Sequence, residues 1–272
     1  MTAFRIGPQN RGKYPEQYKK MLDIWKRNHV LKKALIRCID EPSRMSQMTV
    51  IRKLTKESPE LKQIVCLNKA APGFGKGKDI IELVGKDNLK IWCMITEIMD
   101  SQVIKHKIED LKSHAQNELW WYVCSWPKPP YANFLIDGIG LEPRLLFWMG
   151  YKYGYTGFLH WGGARWRKHN PYIEPATRKE KWPNLYGDGY LVYPGKLQNV
   201  DGPVSSMRLE NIRDGIEDYE YLKLLEKHNQ SKMVHELVNS LVYDMKQYTK
   251  NAKDIENVRI KIGTWLDKHA KP

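Results

Sequence analysis

The chain has 272 residues, 42% of them hydrophobic and 28% charged, with a formal net charge of +14; it is long enough to bury a sizeable core. No apolar run approaches the roughly 18 residues of a membrane-spanning helix, and the N-terminal MTAFRIGPQNRGKYPEQ has no apolar signal core, so the sequence reads as a globular protein with no membrane partner. The positive charge would suit nucleic acid. Lys and Arg are scattered, however, and no DNA- or RNA-binding motif accompanies them, so they read as a solvated surface. Cys38, Cys66, Cys93 and Cys124 sit in separate apolar runs at spacings that match no zinc pattern. They are expected as small buried thiols, with no metal and no cofactor.

In chain order, residues 1–33 predict a loop and then a helix, with Tyr18, Met21, Leu22 and Trp25 at helical spacing. Five runs of strand length follow: ALIRCI (34–39), QIVCLN (63–68), LKIWCMIT (89–96), LWWYVCS (119–125) and TGFLHW (156–161). The stretches SQMTVIRKLTKESPELK, DSQVIKHKIEDLKSHAQ and GLEPRLLFWMGYKYGY lie between runs and read as helices. Strand alternating with helix every about thirty residues predicts βαβ units and a parallel sheet of the (β/α) barrel type. Polar and aromatic residues gather at the C-terminal ends of these runs, where barrel enzymes carry their sites. They are Asp40 and Glu41, Asn68, Thr96 and Glu97, Trp121 and Tyr122, and His160 and Trp161.

GFGKGKD (73–79) looks like a phosphate loop but lacks its spacing and has Asp79 where Ser or Thr is needed, so it reads as a plain loop. Residues 162–204 are too long for a plain connection and should carry function or a small structure of their own. A helix follows over SSMRLENIRDGIEDYEYLKLLEKH, capped by Ser205 or Ser206, with Ile212, Ile216, Tyr219 and Leu222 as its apolar stripe. Amphipathic stretches at 231–248 and 254–268 end the chain. The expected organisation is a (β/α) barrel-type domain over 1–228 and a helical extension over 229–272.

The first run ends on two acids, Asp40 and Glu41, with Pro42 next. Proline disfavours the helical region for the residue before it, so Glu41 is expected to be extended. A carboxylic acid that keeps its proton near neutral pH is the general acid a glycosidase needs. Ordinary glycosidases place two carboxyls on opposite sides of the sugar, about 5 to 9.5 Å apart. Adjacent residues leave one wall of a site. They suit substrate assistance better, in which the acetamido oxygen of a 2-acetamido sugar attacks the anomeric carbon. One acid then protonates the leaving group while its neighbour holds the acetamido nitrogen. On the dipeptide alone, the plainer reading is a strand-end Asp with a loop Glu and no chemistry.

WWYVCSWPKPPYANFLIDGIGLEPRLLFWMGYKYGYTGFLHWGGARW, then GDGYLVYPG, then GPVSSMRLENIRDGIEDYEYLKLL, resembles the catalytic domain of glycoside hydrolase family 123. The family is typified by β-N-acetylgalactosaminidases, and its fold is a (β/α)8 barrel behind a β-sandwich. The resemblance implies Glu41 as general acid/base and Asp40 as the residue that orients the acetamido group. It implies a carbohydrate or glycoconjugate substrate. Trp121, Tyr122 and Trp161 would wall a sugar pocket or fill the barrel core. Asn133 and Asp137 would bind sugar hydroxyls or brace their loop. Asp188 and Tyr193 stand beside glycines that admit a ligand. Arg208 and Arg213 would touch substrate or pair with local carboxylates. On this alignment the five runs are barrel strands four to eight. The expectation is then a truncated chain whose missing N-terminal segment, or a partner chain, completes the barrel, and that segment could carry a secretion signal. The alternative is a non-catalytic carbohydrate-binding or degenerate barrel.

Overall fold

The computed structural model describes residues 4–6, 15–42, 47, 49, 51–53, 56, 61–68, 89–166, 170–175 and 185–269. The chain forms two compact units, Met1–Tyr122 and Val123–Pro272.

The first unit is built on five parallel strands: β1 (Phe4–Ile6), β2 (Ala34–Asp40), β3 (Lys62–Leu67), β4 (Ile91–Ile95) and β5 (Glu118–Tyr122). Their spatial order follows the chain order, as in a singly wound sheet of barrel type rather than a doubly wound one. β4 is buried at every position and β3 at all but its first. This is why they read as unbroken apolar runs rather than alternating ones. Helix α1 (Pro15–Arg27) joins β1 to β2 and packs Leu22, with Met21 and Trp25, against Ala34 and Leu61. The short α2 (Thr96–Met99) leaves β4 directly, and α3 (Gln102–Ser113) buries Ile104, Ile108 and Leu111 on the way to β5. The stretches 69–88, which includes GFGKGKD, and most of SQMTVIRKLTKESPELK lie outside the described residues.

The N-terminal reading needs correction. Residues 1–33 carry a strand as well as a helix, since Phe4, Arg5 and Ile6 pair in parallel with Ala34, Leu35 and Ile36. One strand therefore precedes ALIRCI, and the assignment to strands four to eight alone is one strand short. Three residues hold too little periodicity to show a strand; the ladder with β2 makes it one.

In the second unit, β6 (Gly157–Leu159) follows α4 (Glu142–Lys152), and α5 (Met207–Lys227), α6 (Ser231–Leu241) and α7 (Ala252–His269) end the chain. The long 162–204 connection carries its own structure. β7 (Val192–Pro194) pairs antiparallel with β8 (Pro203–Ser205), and Ala164 bridges Tyr190. Ser206 caps α5, its hydroxyl accepting from Leu209 N at 3.2 Å.

Two helical expectations shift. α6 stops at Leu241, and a turn follows in which Val242 bridges Tyr248 and Asp244 Oδ1 accepts from the amides of Lys246 and Gln247. The buried face of α5 is Arg208, Gly215, Asp218, Leu222 and Leu225, while Ile216 of the predicted stripe is 47% exposed. Gly215 lets α4 close in, because a Cβ there would stand 2.6 Å from the Phe147 ring and 2.8 Å from Arg144 O. Asp218, 1% exposed, accepts from Arg144 at 2.6 and 3.0 Å, Trp148 Nε1 at 2.9 Å and Arg259 at 2.8 Å. The face that joins the helices is thus partly polar.

Candidate active site

The acid pair lies at the end of β2 in the first unit. Arg37 is level with Ile64 and Asp40 with Cys66, so β2 gains a residue over β3 between these pairs. Such a bulge bends a strand and re-aims the side chains beyond it. Asp40 is exposed and Glu41 half-buried. Glu41 is not extended as expected: its φ is +46°, in the left-handed region, and its N–H donates to Cys66 O at 3.1 Å. Pro42 favours extended backbone at Glu41, so the left-handed turn is held against that preference. A β-carbon in the left-handed region is costly and persists where the surroundings hold it, often at functional positions.

The Tyr122 hydroxyl, from the end of β5, donates to Glu41 Oε1 at 2.5 Å. Three strand gaps separate β2 from β5, about 14 Å in a flat sheet. Side chains stand roughly perpendicular to a sheet, so two that meet across that span require it to curl toward them. The curl brings a phenol at the end of β5 onto a carboxylate at the end of β2, three strand gaps away. Strand alternation puts Trp121 on the opposite face from Tyr122, where it is 2% exposed in the core of the unit. The two adjacent aromatics therefore do not share a wall.

The remaining residues fall in the second unit. Asn133 is buried in the loop after Val123. Its Nδ2 donates to Cys124 O at 3.1 Å and Pro127 O at 2.8 Å, its Oδ1 accepts from Phe134 N, and its own N–H donates to Glu142. That side chain braces the loop. Asp137 is exposed. Trp161, half-buried after β6, donates from Nε1 to the buried Asp188 at 2.7 Å. Gly189, at φ +80°, lies so close to the indole that a Cβ would come within 2.3 Å of it. The Asp188–Gly189 turn thereby fixes the tryptophan's orientation.

Arg208 is buried and lacks a carboxylate partner among the described residues. Its terminal nitrogens donate to Phe134 O at 2.7 Å, Gly187 O and Tyr190 O at 2.8 Å, and Tyr193 Oη at 3.2 Å. It ties the 134 loop, the 187–190 turn and Tyr193 to the start of α5. Arg213 is exposed and pairs with Glu210 and Asp214. Tyr193 and Arg208 also line a groove of about 350 Å³ with Ile136, Ile139, Pro143 and Met207, within the size range of ligand sites.

His160, at the end of β6, faces Val123 O with Nδ1 at 3.0 Å and packs against the edge of Phe134. Burial, with the Arg208 charge adding to it, pushes its pKa down to about 4 against the pull of the Val123 carbonyl. The unfolded chain therefore binds the extra proton first as pH falls. His160 contributes fully above the ordinary value of about 6.5, and the contribution is lost toward pH 4. Its size is on the order of 3 kcal/mol. Urea unfolding at pH 7 and pH 4 should show a smaller acid loss in His160→Gln than in the parent protein. Equal losses would disprove this role.

The profile of the glycoside hydrolase 123 catalytic domain matches residues 4–225. A search of curated proteins found no match. The match spans β1 to most of α5, takes in the acid pair, Tyr122 and the Trp161–Arg208 region, and covers most of the sequence, so the chain belongs to the glycoside hydrolase 123 catalytic domain family.

Proposed function

We propose that this glycoside hydrolase removes terminal β-linked 2-acetamido sugars, N-acetylgalactosamine foremost, with retention and by substrate assistance. The observation that carries the reading is the adjacent acid pair with Tyr122 on Glu41. Glu41 is the general acid/base. Held by Tyr122 at one oxygen and by its left-handed backbone, it protonates the leaving oxygen and then deprotonates the incoming water. Asp40, one residue away and exposed, takes the acetamido N–H and stabilises the oxazolinium charge. The sugar's own carbonyl oxygen is the nucleophile, so no second carboxylate across the site is needed. Within the second unit, Trp161, its indole set by Asp188, and Tyr193 offer aromatic faces suited to carbohydrate C–H surfaces. Arg208 holds Tyr193 and the 187–190 turn, and Asn133 braces its own loop. The sheet is read as part of a (β/α)8 barrel with its site at the C-terminal strand ends.

The test is hydrolysis by the full-length protein of 4-nitrophenyl β-N-acetylgalactosaminide and a series with one, two or three fluorines on the acetyl group. Fluorine weakens the carbonyl nucleophile, so kcat should fall stepwise while the first product keeps the β configuration. A flat series would exclude substrate assistance. Sugar binding without turnover, unchanged in Glu41→Ala, would favour a non-catalytic carbohydrate-binding barrel.

Tyr122→Phe removes the hydrogen bond that Glu41 Oε1 accepts. The expected result is a fall in kcat of about 10- to 100-fold with KM within about threefold, because a positioned proton donor loses alignment while sugar contacts remain. A larger change in KM than in kcat would assign Tyr122 to binding instead.

A further inference from the structure

We infer that the 124–131 loop of the second unit, with the 242–248 turn against it, is a binding surface for an acidic glycan, one whose sugars carry carboxylate or sulfate groups. The surface lies wholly within that unit and takes in none of Asp40, Glu41 and Tyr122. Trp126 is its centre. The residue is 51% exposed, on a loop that is held in place. Cys124 N–H donates to Trp126 O at 2.8 Å, and Asn133 Nδ2 donates to the carbonyls of Cys124 and Pro127 on either side of it. From the turn, the Tyr248 hydroxyl reaches Pro130 O at 3.2 Å and Glu142 Oε1 at 3.1 Å. An exposed indole on a braced loop can stack on sugar C–H surfaces with little freedom left to lose.

The acidic class follows from the cations set over the rings. Lys128 Nζ stands 5.8 Å from the centre of the Trp126 ring, and Lys246 Nζ, from the turn, 5.2 Å from that of Tyr131. A lysine drawn to an aromatic face lies beside the place a stacked sugar would take, where it meets an acid group on that sugar. Lys250 adds a further exposed cation. Within residues 124–131 and 242–250 the one acid is Asp244, and its Oδ1 already accepts from the amides of Lys246 and Gln247. Glu142, under Tyr248, is buried, and burial raises its pKa, which works against a full charge there. Membership of a carbohydrate-acting family favours a glycan over nucleic acid as the polyanion. Lys246 and Tyr248 lie beyond residue 225, where the family match ends, so the C-terminal extension supplies part of the surface.

The test is isothermal titration of the full chain with a galacturonate hexamer, a κ-carrageenan hexasaccharide and a neutral galactose hexamer. None contains a 2-acetamido sugar, so the result stands whether or not the reaction proposed above occurs. At least one acidic oligomer should bind, about tenfold or more tightly than the neutral one, and weaken as salt rises. The carboxylate and sulfate arms show which acid group is read. Trp126→Ala should weaken that binding about tenfold, whereas Trp126→Tyr, which keeps a ring, should lose about threefold or less. The double change Lys128→Gln, Lys246→Gln should bring the acidic oligomer down to the affinity of the neutral one and flatten the salt dependence; it serves if Trp126→Ala does not fold. No binding of either acidic oligomer, equal binding of acidic and neutral ones, or binding unchanged in the Trp126→Ala protein would overturn the inference. Tighter binding of a single-stranded dodecanucleotide, lost in the same variants, would also overturn it and make this a nucleic-acid surface.

Discussion

Glu41→Gln is expected to lower kcat at least about 10³-fold on an unactivated β-N-acetylgalactosaminyl disaccharide, while 4-nitrophenyl β-N-acetylgalactosaminide loses about 10²-fold or less. The difference follows from the leaving group. A sugar hydroxyl leaves as a strong base and needs a proton in the transition state. Nitrophenolate leaves unaided, so only the later water step suffers. Glutamine keeps the size of the side chain and an oxygen that can accept from Tyr122, which now bonds Oε1 at 2.5 Å. The fold should therefore persist, and an unchanged thermal midpoint would show it. Asp40→Asn should give the opposite pattern. It weakens the oxazolinium-forming step, which both substrates share, so both should fall by similar factors. Equal losses on the two substrates in Glu41→Gln would take the proton-donor role away from Glu41. No loss in either variant would remove the acid pair from the chemistry. The adjacency of the two acids makes this contrast sharp: one change of side chain separates leaving-group protonation from acetamido orientation.

The parts of this molecule legible in its sequence are those fixed by local pattern. The centres of QIVCLN and LKIWCMIT, IVCL and IWCMI, are unbroken apolar runs because parallel strands bury both faces, and they lie in β3 and β4. The Asp40–Glu41 pair stands out because two acids break such a run at its C-terminal end. What escaped depends on distant partners. Phe4–Ile6 is a strand only through its ladder with Ala34–Ile36. The left-handed φ of Glu41 runs against the extended backbone that Pro42 favours, so the local rule does not reveal it. The α5 stripe is only partly legible: Leu222 is buried as its spacing predicts and Ile216 is not, because Gly215 and Asp218 occupy the buried face, and neither counts as apolar in a periodicity argument. Arg208 invites a search for a carboxylate, yet its partners are three backbone carbonyls and a tyrosine hydroxyl. Carbonyls leave no trace in side-chain sequence. For His160, the strand-end position was visible, but its contacts with Val123 O and the edge of Phe134 exist only in three dimensions.

Asp218→Ala should cost about 3–5 kcal/mol of stability, the largest loss expected of any single change in the second unit. The carboxylate is 1% exposed and gathers four donated hydrogen bonds from three residues: Arg144, Trp148 and Arg259. Arg144 and Trp148 lie on α4 and Arg259 on α7, so one residue of α5 ties three helices. Alanine would leave the Arg144 guanidinium, whose side chain is 11% exposed, inside the helix interface without its counter-charge. Arg259, at 32% side-chain exposure and also paired with Glu217 at 2.9 Å, can turn to solvent and should suffer less. Removing a charge partner is costly because the other charge stays desolvated, whereas replacing the whole group can be mild. A combined Arg144→Met, Asp218→Leu substitution should therefore recover part of the loss, even though it deletes more polar contacts. Urea unfolding followed by tryptophan fluorescence gives both numbers. A single-variant loss below about 1 kcal/mol would mean that the three helices are held by apolar packing around Leu222 and Leu225 alone. Failure of the combined variant to recover stability would instead make the hydrogen bonds of Trp148 and Arg259, rather than the stranded Arg144 charge, the dominant part of the interaction.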